Sequence, residues 1–250
     1  MPDNDRDLIQ YAHCTRRKSF DTSDPSILGV ELEIYSEDPY TTARKIHDLD
    51  MGVITERDGS LHHLFGIELV FPPTPYVDLV RPESALFKTL RILRKQKCLG
   101  WKAGTNYGCH ISVNSAPMDV PHMARFVYFV NRSVKLGEKV SGRKNRNFYS
   151  YAQYVDLSVA HQLEYKYQAA SVRSRQRIEV RIFRSTVADE RMLKNIEYVR
   201  SVWIYTKSNL SESKLNADDF WSWLEEPVNR VQFPVLHKYL KENMYVSVGS

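Results

Sequence analysis

Four short segments of this chain alternate apolar and polar residues with a period of two, and their polar positions hold side chains that ligate metals. Successive side chains of a β-strand point to opposite faces, so each alternation predicts a strand and sorts its residues onto two sides. In Gly29-Val30-Glu31-Leu32-Glu33-Ile34-Tyr35, Val30, Leu32 and Ile34 share one face, and Glu31 and Glu33 share the other. In Gly66-Ile67-Glu68-Leu69-Val70-Phe71, Ile67, Leu69 and Phe71 line one face and Glu68 stands opposite. In Cys109-His110-Ile111-Ser112-Val113-Asn114, the apolar side is Cys109, Ile111 and Val113, leaving His110, Ser112 and Asn114 on the other. In Ile178-Glu179-Val180-Arg181-Ile182-Phe183, the apolar positions are Ile178, Val180 and Ile182, and Glu179 and Arg181 point together to the opposite side.

Taken singly, each segment has a plain explanation. An antiparallel strand commonly keeps one solvated face, and a lone histidine there is ordinarily a hydrogen-bonded structural residue. Together they are harder to explain so. A merely exposed face carries a mixture of Thr, Lys, Ser and Gln, whereas these carry Glu31, Glu33, Glu68, Glu179 and His110. If the strands are neighbours, four carboxylates share a small area, and a pair about 4 Å apart repels by about 4 kcal/mol at an effective dielectric of 20. Such a cluster persists when cations neutralise it or protons are taken up. Carboxylate oxygens with one imidazole and no thiolate suit Mg²⁺ or Mn²⁺ and not zinc, and two such ions balance four carboxylates.

The rest of the chain predicts an α+β fold. Met51 to Thr55 reads as a further strand, joined to the Glu68 strand through Asp58-Gly59-Ser60 and stopped by Pro72-Pro73. Pro82 is expected to open a helix with Leu86, Phe87, Leu90 and Leu93 as its apolar stripe. Pro121 is expected to open another, with Met123, Phe126, Val127, Val130 and Val134 on one side. Asp189 is expected to cap a helix bearing Met192, Ile196, Val199 and Trp203. The tail from Asn216 to Tyr245 reads as two short helices separated at Pro227, where Trp221 and Trp223 pack. Without regular βαβ spacing the sheet should be mainly antiparallel and curved, with helices on its apolar face. The expected organisation is a polar lead-in over 1–25, a main domain over 26–210, and a helical appendage over 211–250 packed on the same domain.

Composition narrows the function classes. Apolar residues make up 42% and charged residues 26%, the balance of a globular protein and not of a disordered one. No window approaches the roughly 20 apolar residues of a membrane span, so no membrane partner is expected. The polar, acidic start lacks the pattern of a signal peptide, and Cys14, Cys98 and Cys109 lack metal-site spacing, which together predict a cytoplasmic protein without a disulfide framework. The formal charge is +5, and most of the excess falls between Arg132 and Arg184. That stretch is either a solvated surface or a place for a polyanion, a nucleoside triphosphate or a nucleic acid.

The ordered series Gly29-Val30-Glu31-Leu32-Glu33, Asp58-Gly59-Ser60, Glu68-Leu69-Val70 with Pro72-Pro73, Gly108-Cys109-His110, Gly142-Arg143, Lys166-Tyr167 with Ala169, and Glu179-Val180-Arg181-Ile182-Phe183-Arg184 resembles the amidoligase family. That family lies within the glutamine synthetase and glutamate–cysteine ligase superfamily. The resemblance runs from about Leu28 to Thr206 and implies a glutamine-synthetase-like catalytic domain, ATP with two Mg²⁺ or Mn²⁺ ions, and an ATP-dependent carboxylate–amine ligase. By the resemblance, Glu31 and Glu33 ligate two different ions. Glu68, with Asp58 or Glu56, completes the first shell, and His110 and Glu179 hold the ion that bridges ATP phosphates. Arg181 resembles the arginine that stabilises the transferring phosphoryl group. Arg143, or Arg146 beside it, and Lys166 resemble residues that hold phosphate or the acyl phosphate. The family shows Gly-x-His-x-His, and here Ser112 stands at the second histidine, where it is expected to face the cofactor.

The chemistry so implied begins with phosphorylation of a carboxylate by ATP, followed by attack of an amine on the acyl phosphate, so the expected partners are a carboxylate-bearing and an amine-bearing substrate, a small amino acid or peptide-like molecule. A second reading is a metal-dependent nucleic-acid-binding protein or nuclease, using the basic 132–184 region with its interleaved aromatics. A third is a family member that binds without catalysis.

Overall fold

The computed structural model describes residues 8–11, 24–101, 107–143, 168–174, 176–208 and 210–245. In chain order its elements are β1 (Gln10–Tyr11), β2 (Ile27–Tyr35), α1 (Pro39–His47), β3 (Ile54–Arg57), β4 (Gly66–Val70), β5 (Thr74–Pro75), α2 (Tyr76–Leu79), α3 (Ala85–Lys95), β6 (Gly108–Asn114), α4 (Val120–Arg132), α5 (Val134–Ser141), β7 (Ala170–Ser174), β8 (Arg177–Arg184), α6 (Asp189–Lys207), α7 (Ala217–Leu224), α8 (Pro227–Gln232) and α9 (Pro234–Leu240).

The strands form an eight-stranded sheet in the order β1-β3-β4-β2-β6-β8-β7, with the short β5 also pairing β2. The pairings are antiparallel except that of β1 with β3. The fold is therefore α+β, as the alternating segments predict. Leu28, Val30, Leu32, Ile34, Ile67, Leu69, Ile111, Val113, Ile178 and Val180 join a continuous core with Ile46, Leu90, Phe126, Val130, Ile196 and Val199 from the helices. One face of the sheet is thus covered by helices, which leaves the carboxylate-bearing positions on the other.

Several elements depart from expectation, each for a local reason. β3 begins at Ile54 and not at Met51, because Asp50 (φ 50°) and Gly52 (φ 70°) turn the chain with left-handed backbone first. The shift brings Glu56 into the strand. The third helix starts at Ala85, with the Ser84 side chain accepting from the Phe87 amide, so Pro82 precedes the helix and does not open it. α4 follows its prediction, capped by Asp119, but ends at Arg132, and Val134 begins α5 as a partly exposed residue. Ala188 and not Asp189 is the N-cap of α6. The Asp189 carboxylate is held by Arg94 in a two-pronged ion pair, at 2.6 and 3.0 Å. Among the described residues the tail holds three α-helices, since Pro234 opens α9 as Pro227 opens α8, and a π-helical turn over Lys241–Tyr245 follows. α9 packs on α6, and Trp223 packs on Phe220 with ring centroids 5.7 Å apart. Within the polar lead-in, Gln10 and Tyr11 pair with Glu56 and Arg57 as an edge strand, and Ile9 is buried. Among the described residues no helix is long and apolar enough to cross a membrane.

Candidate metal centre

Cross-strand register builds the site. β2 runs between β4 and β6, and Glu33 stands directly opposite Glu68 while Glu31 stands opposite His110. One strand further out, Glu56 of β3 is opposite Glu68. On the other side, Ser112 of β6 is opposite Glu179 of β8. Directly opposed like charges are destabilising in a sheet, yet here three acidic residues lie in one row across three strands.

β8 carries one extra residue where it passes His110: Cys109 pairs with Phe183, but Ile111 pairs with Val180. This bulge lies where Arg181 and Ile182 pass the histidine. Bulges re-aim side chains and are common beside functional sites. It also changes the phase of the strand, so that both Ile182 and Phe183 join the core. Strict alternation would have put Phe183 on the polar side.

Two sets of potential ligand atoms result, Glu31–His110–Glu179 and Glu33–Glu68–His110, the atoms of each lying within 4.8 Å of one another. His110 belongs to both. Its Nδ1 lies 3.8 Å from Glu31 and 3.9 Å from Glu179, and its Nε2 lies 3.9 Å from Glu33. All five residues are buried. Gly108 makes room for them. Its amide donates to Glu33 at 2.5 Å, and a Cβ there would stand 3.1 Å from His110 Nε2 and 3.2 Å from Arg143 Nη2.

Guanidinium groups rim this cluster. Arg177 donates to Glu31 at 3.0 Å, Arg181 donates to Glu179 at 3.2 Å, and Arg173 lies 3.4 Å from the same Glu179 oxygen. The buried Arg181 Nε has no hydrogen-bond partner among the described residues. Arg143 donates Nε to the Ile182 carbonyl and Nη2 to the Phe183 carbonyl, both at 3.0 Å, so it braces the bulged strand. A cavity of about 80 Å³ opens among Glu33, Ser60, Leu61, Tyr107, His110, Arg143 and Arg181. A smaller one, about 40 Å³, touches Glu31, Ser112 and Arg177.

The donor set fits a hard divalent cation: carboxylate oxygens with one imidazole and no thiolate. Cys109, next to His110 in sequence, faces the core, and burial, with Glu33 adding to it, pushes its thiol far above the usual range.

Of the residues expected at the site, Glu31, Glu33, Glu68, His110 and Glu179 converge, with Arg181, Arg143 and Ser112 beside them. Asp58 belongs to neither ligand set. It lies in the turn after β3, where its carboxylate accepts from the Ser60 amide at 2.7 Å. Glu56 is also outside both sets but shares the row with Glu68. Arg146 and Lys166 lie outside the described residues. Sequence reasoning missed Arg177, although it stands two residues before Glu179 on one strand face. The alternation of β8 begins one residue before Ile178, at Arg177.

Among solved structures, the chain is similar to GmaS in its apo form without ligand, at 12% identity and a TM-score of 0.48, over 86% of this chain and 66% of that one. It is also similar to a chain of the complex between the prokaryotic ubiquitin-like protein Pup and its ligase PafA, at 14% identity and a TM-score of 0.40, over 74% of this chain and 48% of that one. The chain thus spans just under two thirds of the first and about half of the second. No protein-family profile matches it, and no curated protein matches it by sequence.

Proposed function

We propose that this chain is an ATP-dependent carboxylate–amine ligase that works on the polar face of its sheet with two Mg²⁺ or Mn²⁺ ions. The observation that carries the reading is His110 shared between two buried carboxylate sets, with the Arg181 guanidinium beside them. Glu33, Glu68 and His110 would hold one ion, and Glu31, Glu179 and His110 offer the atoms for the other. Bound divalent ions supply charge neutralisation for phosphate oxygens. Arg181, with an unpartnered Nε, is suited to the oxygens of the transferring phosphoryl group, since a guanidinium keeps its charge and offers a planar fork of donors. Arg143 holds the bulge in place and lines the same cavity as Arg181. ATP phosphorylates the substrate carboxylate, and the amine displaces phosphate to give the amide. Lys166 and Arg146 remain part of the proposal as phosphate-holding residues.

The basic stretch gives less support to a nucleic-acid-binding protein or nuclease. Among the described residues, Arg173, Arg177 and Arg181 pair with Glu31 and Glu179. Phosphate release from ATP that depends on an added amine, in the presence of a carboxylate substrate, distinguishes the ligase from either alternative.

The metal claim has its own test in thermal unfolding. Binding to the native state alone stabilises by mass action, about 2.7 kcal/mol at 100 times Kd. Millimolar Mn²⁺ or Mg²⁺ should raise the melting temperature saturably, and ATP should add to the rise. Glu33→Gln should lower that response while leaving the metal-free protein as stable as before or more so. An undiminished metal response in Glu33→Gln would remove this residue from the site.

A further inference from the structure

A third cavity, of about 320 Å³, lies beyond the end of β8, against α5, α6 and α9. It is on the helix side of the sheet: Lys194, which lines it, stands 6.0 Å from the ring of the core residue Phe183. Arg184, Arg191 and Lys194 all border it, with the hydroxyl-bearing Ser185 and Thr186. Lys194 is only 4% exposed, on a helix whose other buried face is mostly apolar. Its ammonium donates to the Val140 carbonyl and lies 4.7 Å from the Tyr239 ring centroid. Among the described residues no ion pair joins Lys194, Arg191 or Arg184 to a carboxylate. Nearby acids are otherwise engaged: Asp189 is held by Arg94 and Glu190 by Lys238. Glu190 and Glu242 border the adjoining cavity of about 230 Å³, which Arg191 and Lys194 also line. Among the described residues, the side-chain oxygen of Asn195 and the Nε of Arg184 are buried with no hydrogen-bond partner.

A buried ammonium without a counter-charge costs several kcal/mol. Burial, with Arg191 adding repulsion, brings Lys194 down to about 7, so this group is poised to regain its proton when an anion arrives.

We propose that this cavity binds a phosphate group, free or as the monoester of a small metabolite, at a site separate from the carboxylate face. The three cations meet the anionic oxygens. Thr186, whose Oγ1 accepts from the Ala188 amide, keeps its hydroxyl proton to donate, and the Asn195 oxygen can accept from a P–OH or from a hydroxyl of the ester's organic part. The site goes beyond the ligase reading, which places phosphate transfer on the other face of the sheet.

Titration calorimetry on the full chain at pH 7, with EDTA present to strip divalent metal, tests it. Inorganic phosphate and a simple phosphate monoester are the two probes, with chloride at matched ionic strength as control. Saturable heat from inorganic phosphate is expected if the natural ligand is the free ion, and from the monoester alone if it is a phosphorylated metabolite. Arg191→Gln, on an exposed part of the helix, keeps the fold and should weaken binding about tenfold or more, as loss of one charged hydrogen-bond donor does. Lys194→Met should do the same. Glu33→Gln should bind as the unaltered chain does. The proposal falls if neither probe binds, if binding survives unchanged in Arg191→Gln, or if Glu33→Gln abolishes it. That last outcome would put the anion on the carboxylate face.

Discussion

Arg181 donates to Glu179 at 3.2 Å, two residues back on its own strand, and this one bond is compatible with two roles. As a structural partner it merely balances the carboxylate. As a catalytic residue it also offers its buried, unpartnered Nε and the rest of its fork to a phosphoryl oxygen. Arg181→Lys separates the roles. Lysine keeps the charge and can still reach Glu179, but it loses the planar fork. The catalytic role predicts a fall in amine-dependent phosphate release of about 100-fold, the usual cost of one transition-state donor, with little change in melting temperature. Near-full activity with altered thermal stability would leave Arg181 as a structural partner. At this scale the sequence is legible where period two applies: it puts Glu31, Glu33, Glu68, His110 and Glu179 on the faces opposite their strands' apolar residues, and the strand order then brings them together. Asp58 and Glu56 were not separable, since a start of β3 three residues later than expected decides which of them enters the sheet, and left-handed backbone at Asp50 and Gly52 sets that start.

At the scale of elements, α6 carries features that its apolar periodicity hides. Its predicted stripe of Met192, Ile196, Val199 and Trp203 is buried, but so are Lys194, Asn195 and Glu197. Glu197 serves α9: its carboxylate accepts from the Leu236 amide at 2.7 Å, satisfying a donor that the helix start leaves open. The side chain that accepts from this amide of α9 thus comes from another helix, which no local sequence signal announces. Burial raises the Glu197 carboxyl to about 7, and the amides of Leu236 and Val235 offset only part of the shift. The native value lies above the ordinary one of 4.5, so this group's contribution to stability is complete below pH 4.5 and is lost as pH rises through 7. Glu197→Gln keeps an oxygen for the amide and cannot ionise. It should match the unaltered chain near pH 4.5 and exceed it in melting temperature at pH 8, with a flatter profile between. A slope as steep as before in Glu197→Gln would assign the pH dependence to other groups.

For the whole molecule, the sheet is both scaffold and partition. Its strand order, β3-β4-β2-β6-β8, places acidic strands side by side, and nothing in the sequence order of the strands announces that arrangement. What the sequence does carry is the division of faces, since a slip by one residue would send Glu31 and Glu33 into the helix-covered core. The partition predicts that the carboxylate face and the phosphate cavity act independently. Ser185 links them, lining the cavity and donating its hydroxyl to the main-chain carbonyl of Glu33, a bond that Glu33→Gln leaves intact. Substitutions without altered shared partners add to within about 0.5 kcal/mol. Glu33→Gln with Arg191→Gln should therefore change unfolding free energy by the sum of the single changes. The Mn²⁺ response should be that of Glu33→Gln alone, and the phosphate affinity that of Arg191→Gln alone. A coupling of 1 kcal/mol or more between the two would mean that the faces communicate through β8 and Ser185, and that phosphate bound on one side reports on the metal state of the other.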